Sequence, residues 1–179
     1  GRIAVPLIRE GYKYVGLDIS ETYCKYASDK LKVFSKKQII YNYDMKNFFF
    51  KKNFDNIIIG FNSWLHLFKE KEAIQCLNSI KNHMHSKSKL YIDIFVPSPL
   101  FLYRPNDLAV PILEFFDSKK KCTVHIDEIL NYDKKREIAT ITWLYKNKNK
   151  YYGEFNFKMK MYYPDTMIRL LNENNFIIN

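Results

Sequence analysis

The sequence predicts an α/β fold: a mostly parallel sheet with an antiparallel β-meander inserted late in the chain. Three observations carry this. Short apolar runs rich in β-favouring residues, at 14–17, 38–41, 57–59 and 90–96, alternate for the most part with helix-patterned stretches, the order that builds parallel sheets. The first three of these runs are followed by acids or amides, where a strand would present its carboxyl end. From about Lys119 the pattern switches to period two, as in strands with one solvated face.

A chain of 179 residues, 47% of them hydrophobic, suits one domain with a subdomain and can bury a core. No run of eighteen apolar residues occurs, and residues 1–20 lack a basic segment followed by a long apolar one, so neither a membrane span nor a secretory signal is expected. The three cysteines, Cys24, Cys76 and Cys122, are scattered, which suits reduced thiols and a cytoplasmic location. No Cys or His spacing suits a metal site, so none is expected. The net charge of +10 comes from 29 basic against 19 acidic residues. Lysines dispersed through turns make this a solvated surface rather than a nucleic-acid footprint. The oligomeric state is not readable.

In chain order, Arg2 to Glu10 reads as a helix with Ile3, Ala4, Leu7 and Ile8 on one side, Pro6 early within it and Gly11 as its stop. Tyr14 to Leu17 is the first strand, Asp18 stands at its end, and Ser20 can cap a helix from Glu21 to about Leu31. A carboxylate at a strand tip has two oxygens for the vicinal hydroxyls of a ribose; the competing reading is a helix N-terminal acid. After a loop at Lys36-Lys37, Gln38 to Tyr41 is a strand followed by Asn42-Tyr43-Asp44-Met45. Asp44 is either an acceptor for an adenine amino group, with Met45 on the ring, or a turn acid. Ile57 to Ile59 is a buried strand, Gly60 permits close approach, and Asn62 and Ser63 are polar groups at its end. His66, within the apolar Trp64 to Phe68 patch, is either packed or catalytic.

Lys69 to His83 reads as an amphipathic helix buried through Ala73, Ile74, Leu77 and Ile80. A strand from Leu90 to Val96 follows, ended by prolines. Lys121 to Leu130, Glu137 to Lys146 and Tyr151 to Tyr163 form the meander, with turns at 131–135 and 147–150. In its last strand Gly153, Phe155, Phe157, Met159, Met161 and Tyr163 share one face, and Asn156, Lys158 and Lys160 the other. The greasy face is expected to pack on the sheet domain and to roof a pocket. Pro164 starts a helix that Asn174 or Asn175 can end, and Phe176 to Ile178 begins another strand. The division is thus a Rossmann-like core of residues 1–105 and 164–179, and an antiparallel insertion of residues 106–163 over the substrate side.

This order resembles the class I S-adenosylmethionine-dependent methyltransferases, most closely the small-molecule branch related to glycine and sarcosine N-methyltransferases. The resemblance rests on Gly1-Arg2, Gly16-Leu17-Asp18-Ile19-Ser20, Tyr43-Asp44-Met45, Phe54 to Ile59, Phe61 to His66, Tyr162-Tyr163-Pro164, Leu170-Leu171 and Asn175-Phe176. It implies methyl transfer from S-adenosylmethionine to a small-molecule nitrogen or oxygen nucleophile. Gly1 would be the tail of the cofactor loop. Asp18 would hold the ribose, Ile19 and Met45 would sandwich the adenine, and Asp44 would take its amino group. Asn62 and Ser63 would line the methyl end, and His66 and Tyr103 are the candidate bases. The family's glycine-rich loop with its strand, and its final hairpin, are not in this sequence, so the stretch alone is expected to be inactive. Other readings are an NAD(P)-dependent oxidoreductase, a nucleic-acid methyltransferase and a non-catalytic interaction module.

Overall fold

The structure, a computed structural model, describes residues 1–34, 37, 39–147 and 150–178. Lys36 and Gln38 of the expected loop and strand, and Lys148 and Asn149 of the expected turn, lie outside the described residues. The chain forms two compact units, Gly1–Asp55 with Ile74–Lys89, and Asn56–Ala73 with Leu90–Asn179.

In the first unit, α1 (Ala4–Arg9) ends as its sequence predicts. Gly11 takes φ +85°, and the N–H groups of Gly11 and Tyr12 return to the carbonyls of Ile8 and Leu7 at 3.0 and 3.1 Å, a closure that glycine adopts without steric cost. Strand β1 (Gly16–Asp18) pairs in parallel with β2 (Ile40–Asn42). It begins two residues later than the apolar run and includes Asp18 as its last member. Gly16 leaves room for its neighbours: a Cβ there would lie 2.8 Å from Tyr14 Oη and 2.9 Å from Ile40 Cδ1, so those side-chain ends would have to shift. Helix α2 (Glu21–Leu31) starts at Ser20, whose Oγ accepts the N–H of Tyr23 at 3.3 Å. Ala4, Cys24, Leu31 and Ile40 form the core here, with Val5, Ile8, Tyr14, Ala27 and Ile39 around them.

Helix α3 (Glu70–Lys81) is capped by the Glu72 carboxylate, which accepts the Lys69 N–H at 3.0 Å. Its Ala73, Cys76, Leu77 and Ile80 are buried. His83 lies beyond its end rather than in it.

In the second unit, β3 (Asn56–Ile59) pairs with β4 (Lys89–Ile92). The bonds at their two ends, Lys89 N–H to Asp55 O and Asp93 N–H to Ile59 O, both 2.8 Å, advance together along the two strands, so the pair is parallel. Among the described residues the parallel strands form two short pairs, β1–β2 and β3–β4. Strand β4 stops at Ile92, short of the expected Val96, where the carbonyl and carboxylate of Asp93 turn to the Phe61–Asn62 loop.

After α4 (Pro99–Leu102), the antiparallel sheet has four strands, in the order β5 (Val110–Asp117), β6 (Cys122–Asp133), β7 (Ile138–Asn147) and β8 (Lys150–Lys160). Strand β5 is one more than the period-two pattern predicts. Its segment VPILEFFD does not alternate, and Pro111 is tolerated because the strand is an edge, with a bulge beside that residue. The greasy face is real: Trp143, Ile141 and Ala139 lie opposite Phe155, Phe157 and Met159. It is buried at Met159 and open at Phe155, which is 52% exposed. Leu130, Ile141, Met161, Tyr162, Met167 and Leu170 are buried in this unit, and Tyr162 Oη donates to Leu67 O at 2.7 Å. Helix α5 (Pro164–Glu173) closes on Asn175 at φ +60°. Residues 176–178 form no strand. Among the described residues no helix is long and apolar enough to cross a membrane.

Candidate functional site

The first cluster sits at the carboxyl ends of β1 and β2, where open α/β sheets bind ligands. Asp18 lies opposite Asn42. One Asp18 carboxylate oxygen accepts the Ser20 N–H at 2.8 Å. Its other oxygen has no bond among the described residues and can accept a hydroxyl proton. Both readings of Asp18 therefore apply to one side chain, with one oxygen for the helix start and one to spare.

Asn42, which the sequence reading did not single out, fixes this tip. Its Nδ2 donates to the carbonyls of Asp18 and Ile19 at 3.0 and 2.9 Å, and Tyr43 N–H adds a bond to Asp18 O at 3.1 Å. The side chain of Ile19 is left 72% exposed, an apolar surface beside a polar acceptor. Asp44 caps its own turn: one oxygen accepts Lys46 N–H at 2.9 Å and the other faces Lys46 Nζ at 3.5 Å. A ligand amino group would have to share that carboxylate. Met45 is half-buried. Gly1 is exposed, and a Cβ on it would meet only Lys30 Cδ at 3.5 Å and Ala27 Cα at 3.9 Å, so space does not demand glycine there.

The second cluster belongs to the other unit, at the carboxyl end of β3. Phe61 and Asn62 are both left-handed, with φ of 54° and 61°. Asn62 Oδ1 accepts Phe95 N–H at 2.9 Å, which orients its Nδ2 donors the other way; among the described residues nothing holds them. Ser63 Oγ donates to Gly60 O at 2.8 Å, leaving its lone pairs available. His66 closes the short 3-10 turn Ser63–His66 and is exposed, with Trp64 and Leu65 buried before it.

Tyr103 follows α4, is 55% exposed, and meets the Tyr132 ring edge-on at 5.8 Å. Tyr132 Oη in turn lies 3.3 Å from Tyr163 Oη. Burial first, then the bond to Tyr163, push the Tyr132 hydroxyl well above its ordinary range, so it stays protonated. The structure places Asp18 and Ile19 at the carboxyl end of β1, Asp44 and Met45 just past the end of β2, and Asn62, Ser63 and His66 on one turn, with Tyr103 against the meander. Asp93 joins the Phe61–Ser63 turn, and Tyr132 and Tyr163 stand beside Tyr103; the sequence reading assigns none of the three a role. For Asp93 a signal exists, an acid inside the apolar run 90–96, close to the pattern that marks Asp18 at the end of its run. Among the described residues no three metal-ligating side chains gather.

No protein-family model and no curated protein sequence matches the chain. Solved structures do. The CcbJ methyltransferase from Streptomyces caelestis superposes with a TM-score of 0.85 at 14% identity, covering 100% of this chain and 75% of that one. An S-adenosylmethionine-dependent methyltransferase from Clostridium acetobutylicum gives 0.76 at 13% identity, covering 97% and 68%. An amino pentose methyltransferase from Micromonospora echinaspora, solved with S-adenosylmethionine bound, gives 0.71 at 12% identity, covering 95% and 69%. The agreement runs through both units and includes the antiparallel sheet, and it establishes that this chain has the class I S-adenosylmethionine-dependent methyltransferase fold.

Proposed function

We infer that the chain belongs to an enzyme that moves a methyl group from S-adenosylmethionine to a nitrogen or oxygen of a small molecule. The observation that carries this is Asp18: a half-buried carboxylate at the end of β1, with one oxygen unengaged, beside the exposed Ile19. That pairing fits a ribose diol next to the flat apolar face of a purine. S-adenosylmethionine supplies an already activated methyl on a sulfonium, so the protein's task is alignment and water exclusion.

In this reading Asp18 holds the ribose, Ile19 and Met45 flank the adenine, and Asp44 shares its carboxylate with the adenine amino group. Gly1 belongs to the cofactor loop. Asn62 Nδ2 and the Ser63 lone pairs are the groups assigned to the methyl end. His66 and Tyr103 are the groups able to receive the acceptor's proton, while Tyr132 serves as a neutral hydrogen-bonding neighbour. The 106–163 stretch covers the acceptor and sets its identity, and residues 1–105 with 164–179 hold the cofactor. An amino sugar is the acceptor class that the amino pentose methyltransferase suggests. The three free cysteines favour the cytoplasm. Calorimetric titration of the full-length protein with S-adenosylhomocysteine and, separately, with NAD tests the reading: binding of the first and not the second is expected, and the reverse would overturn it.

A further inference from the structure

Two consecutive left-handed residues, neither of them glycine, occur at the β3 tip: Phe61 and Asn62. A bulky aromatic residue rarely adopts this conformation, and it persists only where its surroundings over-determine it. Several bonds hold the turn. Asp93, the first residue after β4, accepts Phe61 N–H on its carboxylate at 3.1 Å and Asn62 N–H on its carbonyl, also at 3.1 Å. Its own N–H donates to Ile59 O at 2.8 Å. Asn62 Oδ1 and Ser63 Oγ complete the turn through Phe95 N–H and Gly60 O. The Asp93 carboxylate acts on the strained aromatic residue itself, at its backbone N–H.

We propose that Asp93 is a positioning residue: its side chain keeps the Phe61–Asn62 turn left-handed and thereby fixes the direction of the Asn62 amide, the group assigned to the methyl end. The proposal rests on the methyl-donor reading for what the turn presents, but not for the clamp itself. A carboxylate is suited to the task because it accepts strongly and donates nothing, and its acceptor strength compensates a backbone conformation that phenylalanine otherwise avoids. Asparagine retains an acceptor oxygen at the same reach; alanine retains none.

The test uses Asp93→Ala, Asp93→Asn and Phe61→Gly in the full-length protein. Three-bond HN–Hα couplings of Phe61 and Asn62 report their φ angles without any ligand. Asp93→Ala is expected to shift both couplings and to weaken S-adenosylhomocysteine binding by roughly tenfold, the loss of one charged hydrogen bond. Asp93→Asn is expected to recover most of both. In a Phe61→Gly background, where the left-handed region carries no steric cost, Asp93→Ala should lower the thermal midpoint by less than it does with Phe61 present. Unchanged couplings in Asp93→Ala, or an Asp93→Asn variant as impaired as Asp93→Ala, would overturn the proposal. If the unmutated protein binds no S-adenosylhomocysteine while the couplings still respond to Asp93, the methyl-donor reading falls and the clamp stands.

Discussion

Phe50 donates its backbone N–H to Nε2 of His83 at 2.8 Å, and that bond fixes the state of a histidine only 1% exposed. Nε2 must present its lone pair, so the proton sits on Nδ1, which faces Ser79 O at 2.7 Å. The ring lies among Phe48, Phe49, Phe50 and Phe54, with centroids 4.7 to 6.3 Å away. His83→Leu keeps the apolar contacts but strands the Phe50 N–H. It should cost roughly 1–3 kcal/mol, the penalty of an unsatisfied buried donor, measured by urea unfolding, and the nitrogen shifts of the unmutated ring should report the Nδ1–H tautomer.

On the covered face of the meander, Glu128 binds two partners at once. Arg104 Nη2 donates to one oxygen at 2.8 Å, and Trp143 Nε1 to the other at 2.9 Å. The two charged side chains are 15% and 10% exposed. Removing the acid leaves a buried guanidinium whose Nε already lacks a partner. Glu128→Ala should therefore destabilise by about 3–5 kcal/mol, whereas Arg104→Met with Glu128→Leu together should cost far less, since both charges then go. Equal losses for the two variants, read from denaturant midpoints, would contradict this.

Both loops between β5, β6 and β7 are built alike. Asp117 accepts the N–H groups of Lys119 and Lys120 at 2.9 and 3.1 Å, and Asp133 accepts those of Lys135 and Arg136 at 3.0 Å. Each loop then ends in a left-handed residue, Lys121 at φ 50° and Glu137 at φ 53°. Glycine takes that conformation without the Cβ clash that costs other residues roughly 1–2 kcal/mol. Lys121→Gly is therefore expected to stabilise by about 1 kcal/mol, less the added freedom of the unfolded chain, visible as a higher thermal midpoint.

The shared loop design also shows what was legible. The Asp133 turn is legible because alternating strands flank it; the Asp117 turn, with the same chemistry, is not, because β5 has no alternation. As an edge strand it exposes Leu113 and Phe116, so its sequence carries no inside and outside. A helix with a clear N-cap is legible: Ser20 marks the start of α2, and its span Glu21–Leu31 agrees with the expected Glu21 to about Leu31. Strand ends are less legible: Asp18 closes one apolar run and Asp93 lies inside another, and only the hydrogen bonds show that Asp18 remains in its ladder while Asp93 turns away. Asp44 is the converse case, since the sequence allowed two roles and its bonds to Lys46 show that the local one is occupied.

Cys76 on α3 has a thiol pushed up from 9.0 to about 12, by burial first and by the Asp44 carboxylate second. The folded state holds this proton more tightly than the unfolded chain. The stability it contributes is complete below about pH 9 and is lost as pH rises towards 12. Across that window the unmutated protein should lose up to ~1.4 kcal/mol per pH unit relative to Cys76→Ala. Unfolding free energies of the two proteins measured across that alkaline window, differing by a constant, would rule this out.

The two oxygens of Asp18 separate its two roles by mutation. Ser20→Ala removes the Tyr23 cap, a 3.3 Å bond at an exposed site, and should cost roughly 0.5–1 kcal/mol of stability while leaving Asp18 in place. Asp18→Ala removes both the acceptor for Ser20 N–H and the unengaged oxygen, so it should lower stability by a comparable amount and also weaken S-adenosylhomocysteine binding by roughly 1–3 kcal/mol. The comparison isolates the ligand's share, because helix-start damage is common to both variants. Calorimetric affinities that fall equally in Ser20→Ala and Asp18→Ala would assign Asp18 to the helix alone.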